Sequence, residues 1–218
     1  MNKLALFDCD GTLVDSQANI CQAMEQAFAL HGLAPPARPA IRRIVGLSLV
    51  EAMRGLLPEA GDAQHHALAE DYKGAFRRMR DSGEMDDEPL FEGIVAALDV
   101  LAADDWVFGV ATGKSDRGLA HVLAVHGITD RFVTLQTADR HPSKPHPSMI
   151  DTAMAEAGAV PATTVMIGDT SYDMLMARAA GARALGVAWG YHRPEELRAA
   201  GAHAVAEDAT DLPAHMEA

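Results

Sequence analysis

Apolar runs and amphipathic segments alternate along most of the chain, and this alternation predicts its fold. A short apolar run bounded by turn residues favours a buried strand, whereas apolar positions three or four apart favour a helix. The predicted strands lie at 4–8, 106–111, 131–136, 163–169, 182–188 and, as a weaker signal, 203–206. The predicted helices between them lie at 116–127, 147–158, 171–181 and 194–200. This order predicts an α/β fold, a doubly wound, Rossmann-like parallel sheet with helices on both faces.

Residues 15–88 depart from this alternation, because their pattern is helical throughout. Apolar side chains recur every fourth residue from Ile20 to Phe28. Ser48 and Glu51 have the spacing of a capping box at the start of a later helix. An all-helical insertion after the first strand would lie over the carboxyl edge of the sheet, where open α/β sheets bind ligands. The predicted domains are a core at 1–14 and 89–218 and an inserted helical cap, or lid, at 15–88.

Polar residues with metal-binding and phosphate-binding chemistry follow the predicted strands. Asp8 and Asp10 end the first buried strand, where isolated charge is costly, so we expect a positive partner nearby. The four polar stretches are 8–12, 111–115, 143–147 and 168–173. Because the carboxyl ends of parallel strands meet at one edge, we expect these stretches to converge. Their carboxylates, hydroxyls, glycines and lysines suit a phosphoryl group held through a divalent metal.

Each stretch taken alone also has a structural interpretation. Asp-Gly sequences form turns, Ser and Asp cap helices, and a loop lysine is usually solvated. Convergence of all four stretches at one sheet edge favours a functional site over these separate explanations. Strand alternation is expected to place Asp8 and Asp10 on one side and Cys9 on the other, as a buried small apolar residue.

The same stretches resemble a known family. FDCDGTLVDS, ATGK, SKPHP and GDTSYDM are similar, in order, to the four motifs of the haloacid dehalogenase superfamily of phosphohydrolases. The similarity is to the branch with a helical cap after the first strand, and it spans essentially the whole chain. The stretch at 137–149 resembles bacterial phosphoglycolate phosphatases. The resemblance therefore implies a phosphatase acting on a small phosphomonoester.

The resemblance also implies roles for individual residues. Asp8 would be the nucleophile that becomes an aspartyl phosphate. Asp10 would protonate the leaving alcohol and then deprotonate the water that cleaves the intermediate. Thr112 and the Gly113 backbone would bind the phosphoryl oxygens, and Lys144 would neutralise both the nucleophile and the phosphoryl group. Asp10 also argues against halide chemistry, because the dehalogenases proper lack a carboxylate there.

A metal site follows from the same resemblance. Asp8, Asp169 and the Asp10 carbonyl would hold Mg²⁺, with Asp173 supporting them as an outer carboxylate or through a water. Mg²⁺ prefers oxygen ligands, and phosphoryl transfer needs positive charge around the phosphoryl oxygens. Mg²⁺ is thus the expected cofactor.

A loop in the predicted cap is similar to the one that contacts the leaving group in capped relatives. Within 41–53, Gly46 and Ser48 are expected to face the crevice, and Arg43 or its neighbour Arg42 to meet an anionic leaving group. A solvated helix face explains the arginines equally well. Sugar-phosphate mutases of this family have an arginine just after that serine, whereas this chain has Leu49.

Composition and charge restrict the partners. The formal net charge of −13 argues against nucleic acid or an anionic membrane as the main partner, because both would be repelled. No segment has the length of a membrane span or the pattern of a signal peptide. Two cysteines are too few for a disulfide framework and fit a reducing cytoplasm. We expect a cytoplasmic monomer or small homo-oligomer acting on a small phosphorylated metabolite.

Three alternatives remain at this stage. One is a phosphotransferase or sugar-phosphate mutase of the same fold. Another is a signalling module that keeps a phosphorylated aspartate, against which the helical insertion and Asp10 both argue. The third is an inactive scaffold, which the complete set of motif residues disfavours.

Overall fold

Six parallel strands form a single sheet in this computed structural model, which describes residues 1–216. The strands are β1 (Lys3–Phe7), β2 (Trp106–Thr112), β3 (Phe132–Thr137), β4 (Thr164–Gly168), β5 (Arg183–Val187) and β6 (Ala204–Ala206). Their order across the sheet is β3-β2-β1-β4-β5-β6, and every neighbouring pair is parallel. From β1 the chain adds β2 and β3 on one side, and it then adds β4, β5 and β6 on the other side. The point between β1 and β4 is therefore the crevice where such a sheet binds ligands.

Helices cover both faces of the sheet, which explains why its central strand is apolar throughout. The helices after residue 90 are α5 (Ile94–Ala103), α6 (Asp116–Val125), α7 (Ser148–Ala157), α8 (Ser171–Ala179), α9 (Pro194–Ala200) and α10 (Leu212–Met216), numbered after four earlier helices. Ala5 and Phe7 pack on the face covered by α5, α6 and α10. Leu4 and Leu6 pack on the opposite face, under α7, α8 and α9. The predicted α/β fold with a doubly wound parallel sheet is confirmed.

The four earlier helices form a segment with its own apolar cluster. They are α1 (Gln17–Leu30), α2 (Arg38–Ile44), α3 (Leu49–Leu56) and α4 (Asp62–Ser82), and residues 17–82 are hereafter the helical insert. Ile20, Met24 and Phe28 on α1 pack with Met53 on α3 and Leu68 on α4. The division of the chain into a core domain and a cap domain stays a prediction. In the described part of the chain, no helix is both long and apolar enough to cross a membrane.

The predicted capping box at the start of α3 is wrong. Ser48 precedes the helix with an extended backbone, but within the described residues its side chain makes no capping hydrogen bond. Glu51 instead pairs with Arg54 one turn later. The Ser48 N–H donates to Ser143 Oγ at 2.8 Å, so a contact outside the helical insert fixes this position.

Candidate active site

Three aspartates meet where β1 and β4 end side by side. The Asp8 N–H donates to the Ile167 carbonyl at 2.9 Å, so the pairing of the two strands continues to the first aspartate. Carboxylate oxygens of Asp8, Asp169 and Asp173 all lie within 4.8 Å of one another, and all three residues are buried. We refer to Asp8, Asp169 and Asp173 as the aspartate cluster.

Lys144 is the positive partner of this cluster. Its Nζ lies 2.9 Å from Asp8 Oδ1 and 2.6 Å from Asp173 Oδ1, and its side chain is buried. Burial lowers the pKa of Lys144, but the charges of Asp173 and Asp8 outweigh this and raise its pKa overall. Lys144 therefore stays protonated, and its ammonium group pairs with two of the three carboxylates of the cluster.

The aspartate cluster fits a divalent cation. Both carboxylate oxygens of Asp8 are buried and accept no hydrogen bond in the described structure, and the ion pair of Oδ1 with Lys144 is their one close contact with a positive charge there. Burial raises the pKa of Asp8 to about 7, although Lys144 opposes the shift. Burial, followed by the charges of Asp8 and Asp173, also raises the pKa of Asp169. These buried carboxylates have too few cations around them to balance their charge, and Mg²⁺ prefers such oxygen ligands.

Neighbouring groups fix the orientation of Asp169. Thr12 Oγ1 donates to Asp169 Oδ1 at 3.0 Å, and the Tyr191 N–H donates to Oδ2 at 2.9 Å. Thr12 reaches this position because the chain turns at Gly11, whose φ of 85° favours glycine. A Cβ on Gly11 would also lie 2.3 Å from Asp169 Oδ2. The Asp10-Gly11-Thr12 turn after β1 thus helps to orient the Asp169 carboxylate, which follows β4.

Asp173 is the member of the cluster whose carboxylate binds the first turn of α8. Its Oδ2 accepts hydrogen bonds from the Thr170 N–H at 3.1 Å and from Thr170 Oγ1 at 2.7 Å. Its Oδ1 faces Lys144. Both oxygens therefore have protein partners, in contrast to those of Asp8, which suits the outer position expected for this residue.

The Asp10 side chain is not part of the aspartate cluster and pairs with groups outside it, although strand alternation predicts that it shares a side with Asp8. The strand ends at Phe7 and the chain turns at Gly11, so alternation no longer applies at residue 10. The Asp10 carboxylate accepts a hydrogen bond from Ser16 Oγ and lies 2.7 Å from Lys114 Nζ. Asp10 is only 7% exposed. The aspartate cluster therefore contains no Asp10 side chain, and only the Asp10 carbonyl remains as the predicted metal ligand.

Lys114 and Ser16 are two further residues of the site, beyond those that the sequence motifs predict. Burial lowers the pKa of Lys114, but the charges of Asp10 and Glu88 outweigh it and raise its pKa. Lys114 lies two residues after Thr112 in the ATGKS stretch, and this position is the signal that could have identified it. No sequence pattern indicated Ser16.

Thr112 and Gly113 place the end of β2 beside the helical insert. Thr112 is buried, and its Oγ1 accepts from the Lys114 N–H at 3.2 Å. A Cβ on Gly113 would lie 2.7 Å from the Leu47 carbonyl oxygen and 2.9 Å from that of Gly46. Glycine is therefore required here by the close approach of the Gly46–Leu47 backbone.

Gly113→Ala is expected to lower kcat/KM by about tenfold, since the added methyl group must push the Gly46–Leu47 backbone away from the crevice. Steady-state kinetics would measure the effect on activity, and a thermal melt would measure any effect on stability. Gly74→Ala is the matched control, because its Cβ would meet only the flexible end of Arg78 at 3.2 Å. Equal kinetics in the two variants would contradict the importance of this contact.

The three predicted substrate residues of the helical insert have different environments. Gly46 lines a cavity between the helical insert and the end of β2, and Ser48 contacts Ser143 through its backbone. Arg43 does not face the crevice in this structure: its guanidinium lies 2.5 Å from Glu196 on α9, and its side chain is 55% exposed. The ion pair with Glu196 thus gives Arg43 a partner in the protein itself, so its position needs no contact with a substrate.

Comparison with known proteins gives a consistent result along most of the chain. Residues 5–187 match the family described as haloacid dehalogenase-like hydrolase. The chain is 38% identical over 207 residues to "Probable phosphatase IndB" of Dickeya dadantii (strain 3937), covering 92% of this chain and 87% of that protein. It is 29% identical over 195 residues to the phosphoglycolate phosphatase of Xylella fastidiosa (strain 9a5c), covering 89% and 83%.

Solved structures share the whole architecture. The crystal structure of a hydrolase from Pseudomonas syringae has a TM-score of 0.84 and 28% sequence identity to this chain. The alignment covers 99% of this chain and 98% of that structure. The helical insert and the sheet are thus both part of the similarity.

Proposed function

Because the chain belongs to the haloacid dehalogenase-like hydrolase family, we propose that it is a Mg²⁺-dependent phosphatase of small phosphomonoesters, the class to which phosphoglycolate belongs, acting through an aspartyl phosphate. The observation that carries the proposal is Asp8, a buried carboxylate with two unpartnered oxygens beside Lys144. Such a carboxylate has an oxygen available to attack phosphorus, and the Lys144 ammonium group lies beside it. Relatives named as phosphatases support the reaction class.

The aspartates divide between metal binding and covalent chemistry. Asp8, Asp169 and the Asp10 carbonyl would hold Mg²⁺, which supplies positive charge for the transferring phosphoryl group. An oxygen of Asp8 attacks phosphorus, and the bond from phosphorus to the ester oxygen breaks. Lys144, Thr112 and the Gly113 N–H stabilise the charge on the phosphoryl oxygens.

Proton transfer is assigned to Asp10, whose carboxyl group is separate from the aspartate cluster and lies at the inner end of the space beside Gly113 and Lys114. In the first step Asp10 donates a proton to the leaving alcohol. In the second step the Asp10 carboxylate takes a proton from the water that attacks phosphorus, which releases phosphate and restores Asp8. Ser16 and Lys114 hold the Asp10 carboxylate in place between these steps.

We propose that the helical insert acts as a cap over this chemistry. The Gly46–Leu47 backbone lies against Gly113, and Ser48 is hydrogen-bonded to Ser143 beside Lys144. These contacts close the crevice from the side opposite the sheet, and exclusion of water strengthens the electrostatic interactions within it. Hydrolysis rather than mutase chemistry is supported by Leu49, which offers no charge to a second phosphate.

Removal of metal is expected to abolish phosphate release. Excess EDTA should reduce hydrolysis of phosphoglycolate and of 4-nitrophenyl phosphate to background, and excess Mg²⁺ should restore it. Ca²⁺ should support it poorly, because it is larger and less strict in its coordination geometry. Full activity in EDTA would contradict the proposed mechanism.

A further inference from the structure

A cavity of about 280 Å³ lies between the helical insert and the end of β2. Asp10, Gly113 and Lys114 line its inner end. Asp8 and Asp169 are not among the residues that line it. Since Asp10 is the group proposed to protonate the leaving alcohol, the leaving group of the substrate must extend from Asp10 into this cavity.

One wall of the cavity is apolar and comes from three helices of the insert. Its residues are Ile20 and Met24 on α1, Leu49 and Ala52 on α3, and Tyr72 and Phe76 on α4. The Tyr72 and Phe76 rings lie with their centroids 5.2 Å apart, which gives part of this wall an aromatic surface. Glycolate has a single methylene group and cannot cover such a wall. An apolar body in the leaving group would gain free energy by displacing water from it.

The rest of the lining is unusually basic for a chain with a net charge of −13. Five of the 18 lysines and arginines line this cavity: Lys73, Arg77, Arg80, Lys114 and Arg117. The acidic residues that line it are Asp10, Glu70 and Glu88. Lys114 pairs with Asp10 and Lys73 pairs with Glu70, while Glu88 accepts from Asn19. The five basic side chains outnumber the three acidic ones by two, and the basic groups without an ion-pair partner are the three arginines.

These arginines have unused hydrogen-bonding capacity. Within residues 1–216, Arg77, Arg80 and Arg117 form no ion pair. The Nε of Arg80 is buried and has no hydrogen-bond partner in the same part of the chain. A buried donor without a partner is costly, and a guanidinium group is shaped to donate to a pair of oxygens. Only the Arg80 Nε is such a buried donor, since Arg77 and Arg117 are exposed to water. Acceptor oxygens on the leaving group would satisfy the Arg80 donor and would pair with Arg77 and Arg117 at the open side of the cavity.

We propose, on the basis of the phosphatase function above, that the preferred substrate is the phosphate monoester of an alcohol larger than glycolate. This alcohol has a planar apolar body, which packs against Met24, Tyr72 and Phe76. At its far end it carries carbonyl or carboxylate oxygens, which accept hydrogen bonds from Arg77, Arg80 and Arg117. Arg77 and Arg117 are then specificity-determining residues that the motif pattern does not reveal.

Four phosphate esters test this proposal on the wild-type enzyme with Mg²⁺. They are phosphoglycolate, benzyl phosphate, 4-carboxybenzyl phosphate and 4-carbamoylbenzyl phosphate. The methylene group insulates the ester oxygen, so the three benzyl esters have similar leaving alcohols. The substituted benzyl esters should exceed both phosphoglycolate and benzyl phosphate in kcat/KM by about tenfold. A preference for the carboxyl over the carbamoyl ester identifies an anionic leaving group, and equal rates identify a neutral one with carbonyl oxygens.

Variants of the basic wall locate the recognition. Arg77→Gln and Arg117→Gln should each lower kcat/KM for the better substituted ester about tenfold more than for benzyl phosphate, mainly through KM. Arg78→Gln is the matched control, because Arg78 is exposed on the same helix and does not line the cavity. Phe76→Ala should reduce kcat/KM for all benzyl esters relative to phosphoglycolate.

The inference and the proposed function fail in different ways. Preference for phosphoglycolate over every benzyl ester would overturn the inference and leave the phosphatase function intact. So would arginine variants that leave the ratio between esters unchanged. Hydrolysis of none of the four esters in the presence of Mg²⁺ would contradict the phosphatase function itself, and the inference with it.

Discussion

Asp8→Asn should reduce steady-state phosphate release by on the order of 10³-fold or more, the largest effect expected for any single substitution in this protein. The amide is nearly isosteric with the carboxylate, but it is a poor nucleophile and a weaker metal ligand. Phosphate release from 4-nitrophenyl phosphate and from phosphoglycolate would measure the effect. Asp151→Asn on the exposed face of α7 is the matched control and should retain wild-type rates.

The same variant should be more stable than the wild type when metal is removed. Burial raises the pKa of Asp8 above its ordinary value, so the ionised carboxylate costs stability that increases as pH rises from about 4 to about 7. The amide has no charge to bury, and the variant should therefore melt at a higher temperature in EDTA at pH 7.5. Retention of a tenth of the wild-type rate would show that water attacks phosphorus directly. A lower melting temperature would show that the aspartate cluster is not short of positive charge.

Asp10→Asn is expected to produce a single burst of nitrophenol from 4-nitrophenyl phosphate, about stoichiometric with enzyme, and then to stop. Nitrophenolate leaves almost without a proton, so Asp8 should still be phosphorylated. The second step still needs a base, because water must lose a proton as it attacks the aspartyl phosphate. Rapid-quench kinetics would measure the burst, and mass spectrometry of acid-quenched protein should find the phosphoryl group on the peptide that contains Asp8.

Two controls make the burst experiment specific. Asp8→Asn should give no burst, since it lacks the nucleophile. With phosphoglycolate, whose alcohol does need a proton, Asp10→Asn should give neither burst nor turnover. Cycling of the Asp10→Asn variant on 4-nitrophenyl phosphate at the wild-type rate would show that Asp10 is neither the acid nor the base.

The order of strands and helices is readable from the sequence because it depends on local patterns. The apolar runs correspond to β1 through β6, with bounds that differ by at most one residue. Continuous apolar sequence in β1 reflects burial on both faces, which is the property of a central parallel strand. The sequence also predicts that Asp8 and Asp169 meet, because each follows a parallel strand and parallel strands place their carboxyl ends at one edge of the sheet. The capping box at Ser48 failed because a contact outside the helix took precedence over the local signal.

The sequence by itself determined that Asp8, Lys144 and Asp169 belong to one edge of the sheet, because their positions depend on strand ends and on motif spacing. Only the tertiary structure decided what each side chain faces. Asp10 turns toward Lys114, Lys144 reaches Asp8 across 136 positions of sequence (144 − 8), and Arg43 pairs with Glu196 outside the crevice. The physical reason is that side-chain direction after a strand end depends on long-range packing and charge pairing. The cavity that bears on substrate size exists only where the helical insert meets the end of β2, and no local pattern encodes that contact.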